Sequence, residues 1–365
     1  MNYFKSSKKR RTDKIQKFYF LVHLFFIFSA IVIITSCQFL MEESNPISIE
    51  IEHSRGSELD LTITNIGSED LYFSSYDVPM RGHIKQYFKI TDENGSEVPY
   101  IGILALMEQT RDMWKLIKSG ENIDLTVNLY GEYDFPSTSG KYNIEFISDV
   151  TVMDINAIEG RVSNEDGEFI PADDGQMHTV NSNNIESEID ITNAFNPELE
   201  TRGKYYPCSA SQKSWINETM GKAKTITSQA VQYAKRNKTD SVWKALFGKK
   251  KGYYNFTLNG LTKIKSSTQQ NWTYSCKPDS GGAIASTSKS STYRVTLWPP
   301  YFKDTTSKKL KFSASVLAHE ASHWYAVIGT SDYAYYSNCK KLARRARKAI
   351  KNADSYRQYI MNASN

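Results

Sequence analysis

The sequence predicts a multidomain chain, in which an N-terminal all-β, Ig-like sandwich precedes a mainly helical α+β domain. Three observations carry that reading. Short alternating apolar runs with turn residues between them fill residues 46–150. Stripes of helical period dominate after residue 205. The charge also reverses: residues 38–204 hold 11 Lys+Arg against 32 Asp+Glu, a balance of −21, and residues 205–365 hold 27 against 7, a balance of +20. The net +5 of the 365-residue chain conceals this opposition. It marks a boundary near residue 204 and predicts that the two halves attract each other.

The first 37 residues read as an export signal. Lys5, Lys8, Lys9, Arg10 and Arg11 form a basic start, Phe18–Ser36 is an almost unbroken apolar run, and Ile34-Thr35-Ser36-Cys37 fits a bacterial lipobox. Cleavage before Cys37 frees its thiol for lipidation, which makes a lipid membrane a partner of the chain. The alternative is an uncleaved membrane anchor, since the run is long enough to span a bilayer. Either way the rest is exported, and the expected location is the cell envelope, at the outer membrane or cell surface.

Residues 38–192 follow as the acidic β domain. Ile47–Glu52 and Leu59–Thr64 alternate, Tyr87–Thr91 ends at a hairpin signal in Asp92-Glu93-Asn94-Gly95, and Ile123–Leu129 and Tyr142–Phe146 alternate again. Met177–Val180 and Ile185–Ile191 close the sandwich. His83 and His178 read as surface histidines. Residues 193–204 form a polar linker, and residues 205–365 form the basic domain. Its first helix is expected over about Ser211–Arg236, with Ile216, Met220, Ala223, Thr227, Ala230 and Ala234 on one stripe. A second is expected over Leu258–Ser266, and a basic helix over Ser337–Lys351. Ser291–Trp298 alternates before Pro299-Pro300 and reads as an edge strand.

His319-Glu320-Ala321-Ser322-His323 carries the chemistry. Two histidines four residues apart share one face of a helix, so both imidazoles reach one Zn²⁺, and Glu320 sits where it can act as general base on a water activated by the metal. The helix is expected to run on through Trp324–Ile328 and to stop at Gly329. The bland reading is two surface histidines on a core helix. Of the six histidines none follows His323, and the carboxylates beyond it are Asp332 and Asp354. Asp332 lies nine residues past His323, after the Gly329-Thr330 turn, close enough for the chain to fold back. Two histidines and a carboxylate form a catalytic zinc set rather than a closed structural one.

Gly329-Thr330-Ser331-Asp332-Tyr333-Ala334-Tyr335 then resembles the GTxDxxY signature of the aspzincin metalloendopeptidases, the deuterolysin and peptidyl-Lys group. Asn352-Ala353-Asp354, the segment from Tyr206 to Gln212 and the segment from Trp272 to Cys276 resemble further stretches of that family. The resemblance implies a zincin-like metallopeptidase fold for residues 205–365 and one zinc held by His319, His323 and Asp332. It implies Tyr335 as donor to the oxyanion, Asp354 as a substrate-binding carboxylate, and a Cys208–Cys276 disulfide. In zincins an edge strand such as the one expected at Ser291–Trp298 lies above the metal and pairs with extended substrate. Asp77–Met80 with Val98–Gly102 resembles the family's N-terminal propart, which implies a zymogen. Two departures stand out. Tyr336 replaces the family glycine, which puts a tyrosine where a left-handed backbone angle is expected. Arg357 replaces an acid found in lysine-specific members and opposes a lysine preference.

The expected protein is therefore a lipid-anchored zinc endopeptidase acting on protein or peptide substrates, a monomer with its N-terminal domain docked intramolecularly. The alternative is a degenerate lipoprotein that binds anionic surfaces or proteins. Nucleic acid is not an expected partner, because the run Lys340–Lys348 carries no interleaved aromatics and reads as a solvated helix face. Cys339 reads as a buried free thiol.

Overall fold

The computed structural model describes residues 46–108, 110–155, 176–192, 194, 205–278, 282–303 and 305–364. The expected export signal, Cys37 and, apart from Ala194, the linker lie outside the described residues. From Pro46 onward the chain forms one compact unit.

The N-terminal half is β. Its strands are β1 (Ile47–Arg55), β2 (Glu58–Asn65), β3 (Leu71–Ser74), β4 (Phe88–Asp92), β5 (Ile103–Met107), β6 (Trp114–Ile117), β7 (Asn122–Asn128), β8 (Ser139–Phe146), β9 (Asp149–Asp154), β10 (Gln176–Thr179), β11 (Asn181–Ser182) and β12 (Asn184–Asp190). The alternation explains β1 and β2: Ile47, Ile49, Ile51, Leu59, Leu61 and Ile63 all point into one core, and the residues between them face outward. Where the sequence predicts a two-sheet sandwich, the strands sort into three small sheets, ordered β11-β1-β2-β7, β10-β9-β3-β6 and β12-β8-β4. Tyrosines account for the interruptions. Tyr133 donates its hydroxyl to the Phe88 carbonyl at 2.8 Å, and Tyr87 donates to the Tyr76 carbonyl at 3.2 Å. These bulky rings fill the interior, and their hydroxyls bond to backbone carbonyls at the start of β4 and before it. His83 is buried beside Tyr87 and Phe88 rather than on the surface.

The C-terminal half mixes helices with a small sheet. Its helices are α1 (Ala210–Asn237), α2 (Ser241–Phe247), α3 (Tyr254–Thr268), α4 (Pro299–Phe302), α5 (Ser307–His323), α6 (Asn338–Leu342), α7 (Ala346–Ala349) and α8 (Ala353–Ala363). A capping box starts α1: Ser209 Oγ accepts from the Gln212 amide, and Gln212 Oε1 accepts from the Ser209 amide. Helix α5 is the centre of this half, with α1, α3 and α8 packed around it. The basic helix expected over 337–351 divides into α6 and α7. Arg345 leaves helical geometry between them, and its guanidinium donates to Asp149 of the N-terminal half at 2.7 Å.

The sheet positions the site. Strands β13 (Thr273–Cys276), β14 (Ala283–Ser288) and β15 (Arg294–Leu297) join β5 in the order β13-β15-β14-β5. The edge expected at Ser291–Trp298 is therefore interior: β15 is flanked on both sides. The outer strands of the C-terminal half are β13 and β14, and β5 of the N-terminal half covers β14 in antiparallel register. Proline after β15 ends that strand instead of marking an edge, because α4 begins there with Pro299 at its first turn.

Cys208 and Cys276 form a disulfide across 68 residues, tying the start of α1 to β13. Replacing both by alanine should cost about 4 kcal/mol in the loop-entropy account. Denaturant unfolding measures it, and a loss below about 1 kcal/mol would show that the unfolded chain is already restricted there.

Candidate active site

Helix α5 carries the two histidines at its C-terminal end. Ala314, Val316, Leu317, Ala318 and Ala321 are fully buried, so the helix runs through the core and takes His319, Glu320 and His323 inside with it. It ends at His323, five residues before the expected stop. Trp324 turns to extended geometry, and its indole Nε1 donates to Thr287 Oγ1 on β14 at 2.8 Å. The chain then reverses. The amides of Ile328 and Gly329 both donate to the Trp324 carbonyl at 3.0 Å, and the Thr330 amide donates to the Ser322 carbonyl at 3.1 Å. Gly329, at φ +72°, permits the reversal.

That turn returns Asp332 to the histidines. Its Oδ1 lies 3.3 Å from His319 Nε2, its Oδ2 lies 3.3 Å from His323 Nε2, and the two Nε2 atoms are 3.2 Å apart. One atom from each of the three residues fits within 4.8 Å of the others. One of the remaining ring nitrogens is hydrogen-bonded from behind, and the other faces a carboxylate. His323 Nδ1 donates to the Thr330 carbonyl at 3.1 Å, which leaves Nε2 as the free lone pair facing Asp332. His319 Nδ1 faces Asp354 Oδ1 at 3.7 Å.

The electrostatics of this group call for a cation. The oxygens of Asp332 and Glu320 are fully buried and accept no hydrogen bond among the described residues. Such burial costs several kcal/mol for Glu320, and Asp332 faces only the two histidines across 3.3 Å. Burial alone would lower the His319 pKa, but Asp332 and Asp354 outweigh it and lift it to about 10. A metal ion would meet the same negative field without the proton. For Glu320, burial pushes the carboxyl up, His319 opposes and Asp332 reinforces, leaving it at about 8. Burial likewise holds the Tyr335 hydroxyl far above its ordinary value, so it stays a donor. Two histidines and a carboxylate with inward lone pairs suit zinc.

The loop from Ser331 to Tyr336 is clamped by the stretch at 352–354. Asn352 Oδ1 accepts from the amides of Tyr333 and Ala334 at 2.9 and 3.0 Å, and its Nδ2 donates to the Ala334 carbonyl at 2.9 Å. Asp354 Oδ2 accepts from the Tyr336 amide at 2.6 Å and from the Cys339 thiol at 3.3 Å. Tyr336 sits at φ +50°, the left-handed region anticipated from its place in the motif. Two contacts offset that strain. Its hydroxyl donates to the Met107 carbonyl at 3.4 Å, and the Arg357 guanidinium lies over its ring at 4.8 Å.

Asp354, expected to bind substrate, has both oxygens engaged: Arg357 Nε donates to Oδ1 while the amide and the thiol take Oδ2. Burial pushes its carboxyl up, but Arg357 and His319 outweigh that and hold it below the carboxylate range. Arg357 is as buried as its partner. Arg357→Ala should therefore destabilise by about 3–5 kcal/mol, because it strands a buried charge. Denaturant melts test this; near-native stability would mean that Asp354 has taken up a proton.

Tyr335, expected near the reacting carbonyl, stacks along His319 with ring centroids 6.3 Å apart and donates its hydroxyl to the Ala105 carbonyl at 3.0 Å. That acceptor belongs to β5. Sequence reading missed Thr330, Lys289 and β5. Thr330 acts through its carbonyl, which no side chain announces. Lys289 is buried, donates to Ser331 Oγ at 2.8 Å and is pushed down to about 8 by burial. The five apolar residues of β5 signalled a strand buried on both faces.

Residues 219–361 match the family model of the aspzincins, described as lysine-specific metallo-endopeptidase. Those residues, the greater part of the C-terminal half, belong to the aspzincin family. The protein is a metalloendopeptidase, and its cofactor is zinc. The chain is 24% identical over 317 residues to a peptidyl-Lys metalloendopeptidase of Grifola frondosa, a match covering 82% of this chain and 86% of the fungal one. It is 23% identical over 318 residues to an extracellular protease of Aeromonas hydrophila, covering 83% and 87%. A solved zinc peptidase from Grifola frondosa is 25% identical and covers 42% of this chain and 97% of that one, with a TM-score of 0.40.

Proposed function

We propose that this chain is an exported, lipid-anchored zinc endopeptidase in which Glu320 is the general base and the N-terminal half keeps the catalytic half latent. The observation that carries the reading is the convergence of His319, His323 and Asp332 beside Glu320, whose buried carboxylate accepts no hydrogen bond among the described residues.

Zinc held by those three residues supplies Lewis acidity toward the scissile carbonyl. Glu320 takes a proton from the attacking water, whose oxygen joins the carbonyl carbon. It then delivers that proton to the amine as the C–N bond breaks. Tyr335 stays protonated and donates its hydroxyl to the carbonyl oxygen as negative charge grows there. The Thr330 carbonyl holds the His323 imidazole from behind, which fixes which nitrogen faces the metal, and the Asp354 carboxylate, 3.7 Å from His319 Nδ1, favours the same orientation electrostatically. Export and attachment through Cys37 rest on the N-terminal sequence, and the extracellular relative supports export. The relatives' names make lysine a candidate residue after the scissile bond. The Arg357–Asp354 pair argues for a weak preference at most, because no free carboxylate remains there.

Latency is supported by what covers β14. The substrate-pairing strand expected at Ser291–Trp298 is interior, so we assign that role to β14; β5 occupies its length, with Ser286 opposite Ala105 and Ala283 opposite Met107. Cleavage in the linker at 193–204, where Gly203–Lys204 is the first bond to examine, would free the peptidase from its anchor.

The test of the metal set is direct. His319→Ala, His323→Ala and Asp332→Ala should each bind zinc at least a hundredfold more weakly, read by metal analysis after dialysis against a graded chelator. Full zinc retention by any one of them would remove that residue from the set.

A further inference from the structure

We infer that β5 is a built-in copy of the substrate, and that it defines both the register and the specificity of the groove: an extended peptide with a large aliphatic side chain directly after the scissile bond. This rests on the peptidase reading above and goes beyond it by naming the peptide chemistry.

Three independent features set the register. The first is the ladder: β5 runs antiparallel to β14, an outer strand of the catalytic half, and lies against α5, the helix that carries His319 and Glu320. The ladder is extended at its ends, where the Glu108 amide donates to the Gly282 carbonyl at 2.7 Å and Ser288 Oγ donates to the Ile101 carbonyl at 3.1 Å. The second is the carbonyl. Tyr335 donates to Ala105, so the Ala105–Leu106 peptide bond presents its oxygen to the hydroxyl assigned to the reacting carbonyl. The third is the side chain that follows. Leu106 is fully buried and, among the described residues, it is the one residue of the N-terminal half that joins the apolar core of the catalytic half, a core that includes Ala285, Val316 and Leu317. Its neighbours do otherwise: Leu104 belongs to the β core, and Ala105 and Met107 belong to the seam between the halves.

The groove therefore offers the residue after the bond an apolar cavity in which a charged side chain would be stranded. Transfer of a lysine ammonium into such a place without a partner costs several kcal/mol. Asp354, the carboxylate that could offset this, is already paired with Arg357. A leucine-sized chain there contributes about 2 kcal/mol of burial, or some thirtyfold in binding. Small residues are favoured before the bond, where Ala105 sits in the closed seam. The β5 strand itself resists release of product because its flanks are anchored: Leu104 in the β core, and the Ala105 amide on the Ile84 carbonyl at 2.9 Å.

The test uses the full chain with Leu106→Asp, which should push β5 out of the groove; if circular dichroism shows that variant unfolded, the milder Leu106→Ala replaces it. A binding arm, in the added background of Glu320→Gln, needs no turnover. There the fluorescent peptide Gly-Ile-Leu-Ala-Leu-Met-Glu should bind at least tenfold tighter than the same peptide with lysine as its fifth residue. In a hydrolysis arm with Glu320 intact, digestion of a proteome-derived peptide library should give cleavages enriched before leucine, isoleucine and methionine, with no excess before lysine. Equal or tighter binding of the lysine peptide, or cleavage predominantly before lysine, overturns the inference. Selective binding without any hydrolysis would uphold the groove and overturn the peptidase reading instead.

Discussion

Glu320→Gln should lose hydrolysis of casein by roughly a thousandfold or more while keeping its zinc, since general acid–base catalysis contributes about 10²–10⁴-fold. The substitution is nearly isosteric, and Glu320 is fully buried with no hydrogen bond to lose among the described residues. Removing the carboxylate charge relieves burial cost, so the variant should be at least as stable as the parent. This separates the chemistry from the fold: zinc content and thermal midpoint stay level while turnover collapses. Turnover within tenfold of the parent would reject Glu320 as the base. Loss of zinc together with activity would assign it to holding the metal.

Much of the C-terminal half was legible because its signals are local. The capping residues Ser209 and Gln212 mark the start of α1, and the histidine spacing marks a helix face that meets one metal. The end of α5 was not legible. Trp324–Ile328 continues an apolar, helix-compatible pattern, yet Trp324 finds a better place against Thr287 on β14, so tertiary packing overrides propensity. The left-handed backbone at Tyr336 could be anticipated from the glycine it replaces. What stabilises it, the Asp354 carboxylate and the Arg357 face, comes from residues 18 and 21 positions away, which periodicity does not register. The same limit hid the seam. Ile103–Met107 announces a buried strand, but its partner β14 lies about 180 residues on, in a segment of Ala, Ser and Thr with little apolar contrast.

The charge opposition of −21 against +20 suggested that electrostatics hold the halves together, and the seam assigns it a smaller part. Asp149 takes Arg345 at 2.7 Å and Lys348 at 3.3 Å, but both basic side chains are substantially exposed. Such pairs contribute about 1 kcal/mol or less and are screened by salt. A third pair, Lys303 with Glu108 at 3.7 Å, is exposed as well. The contact also includes a strand ladder, the hydroxyls of Tyr335 and Tyr336 on β5 carbonyls, and an apolar cluster in which Met107 and Ala105 meet Ala283, with Trp298 packed beside them.

Met107→Asp in the full chain should therefore raise casein hydrolysis at least tenfold, whereas Asp149→Asn, or 0.5 M salt on the parent, should change it by less than about threefold. Met107 is 3% exposed. A carboxylate there, without a partner, costs several kcal/mol, and each 1.4 kcal/mol shifts the closed–open balance tenfold. Met107 lies two residues beyond the carbonyl that Tyr335 grips, so its replacement loosens the ladder without touching a zinc ligand. The displaced half stays tethered and returns at high effective concentration, so opening is partial until the linker is cut. Amide exchange on β14 supplies the second reading: Ala285 and Ser286 should exchange faster in Met107→Asp and slow again when the fluorescent peptide is added. Faster exchange on β14 with unchanged hydrolysis would mean that β5 leaves the groove and something else limits turnover, which would sink the latency proposal.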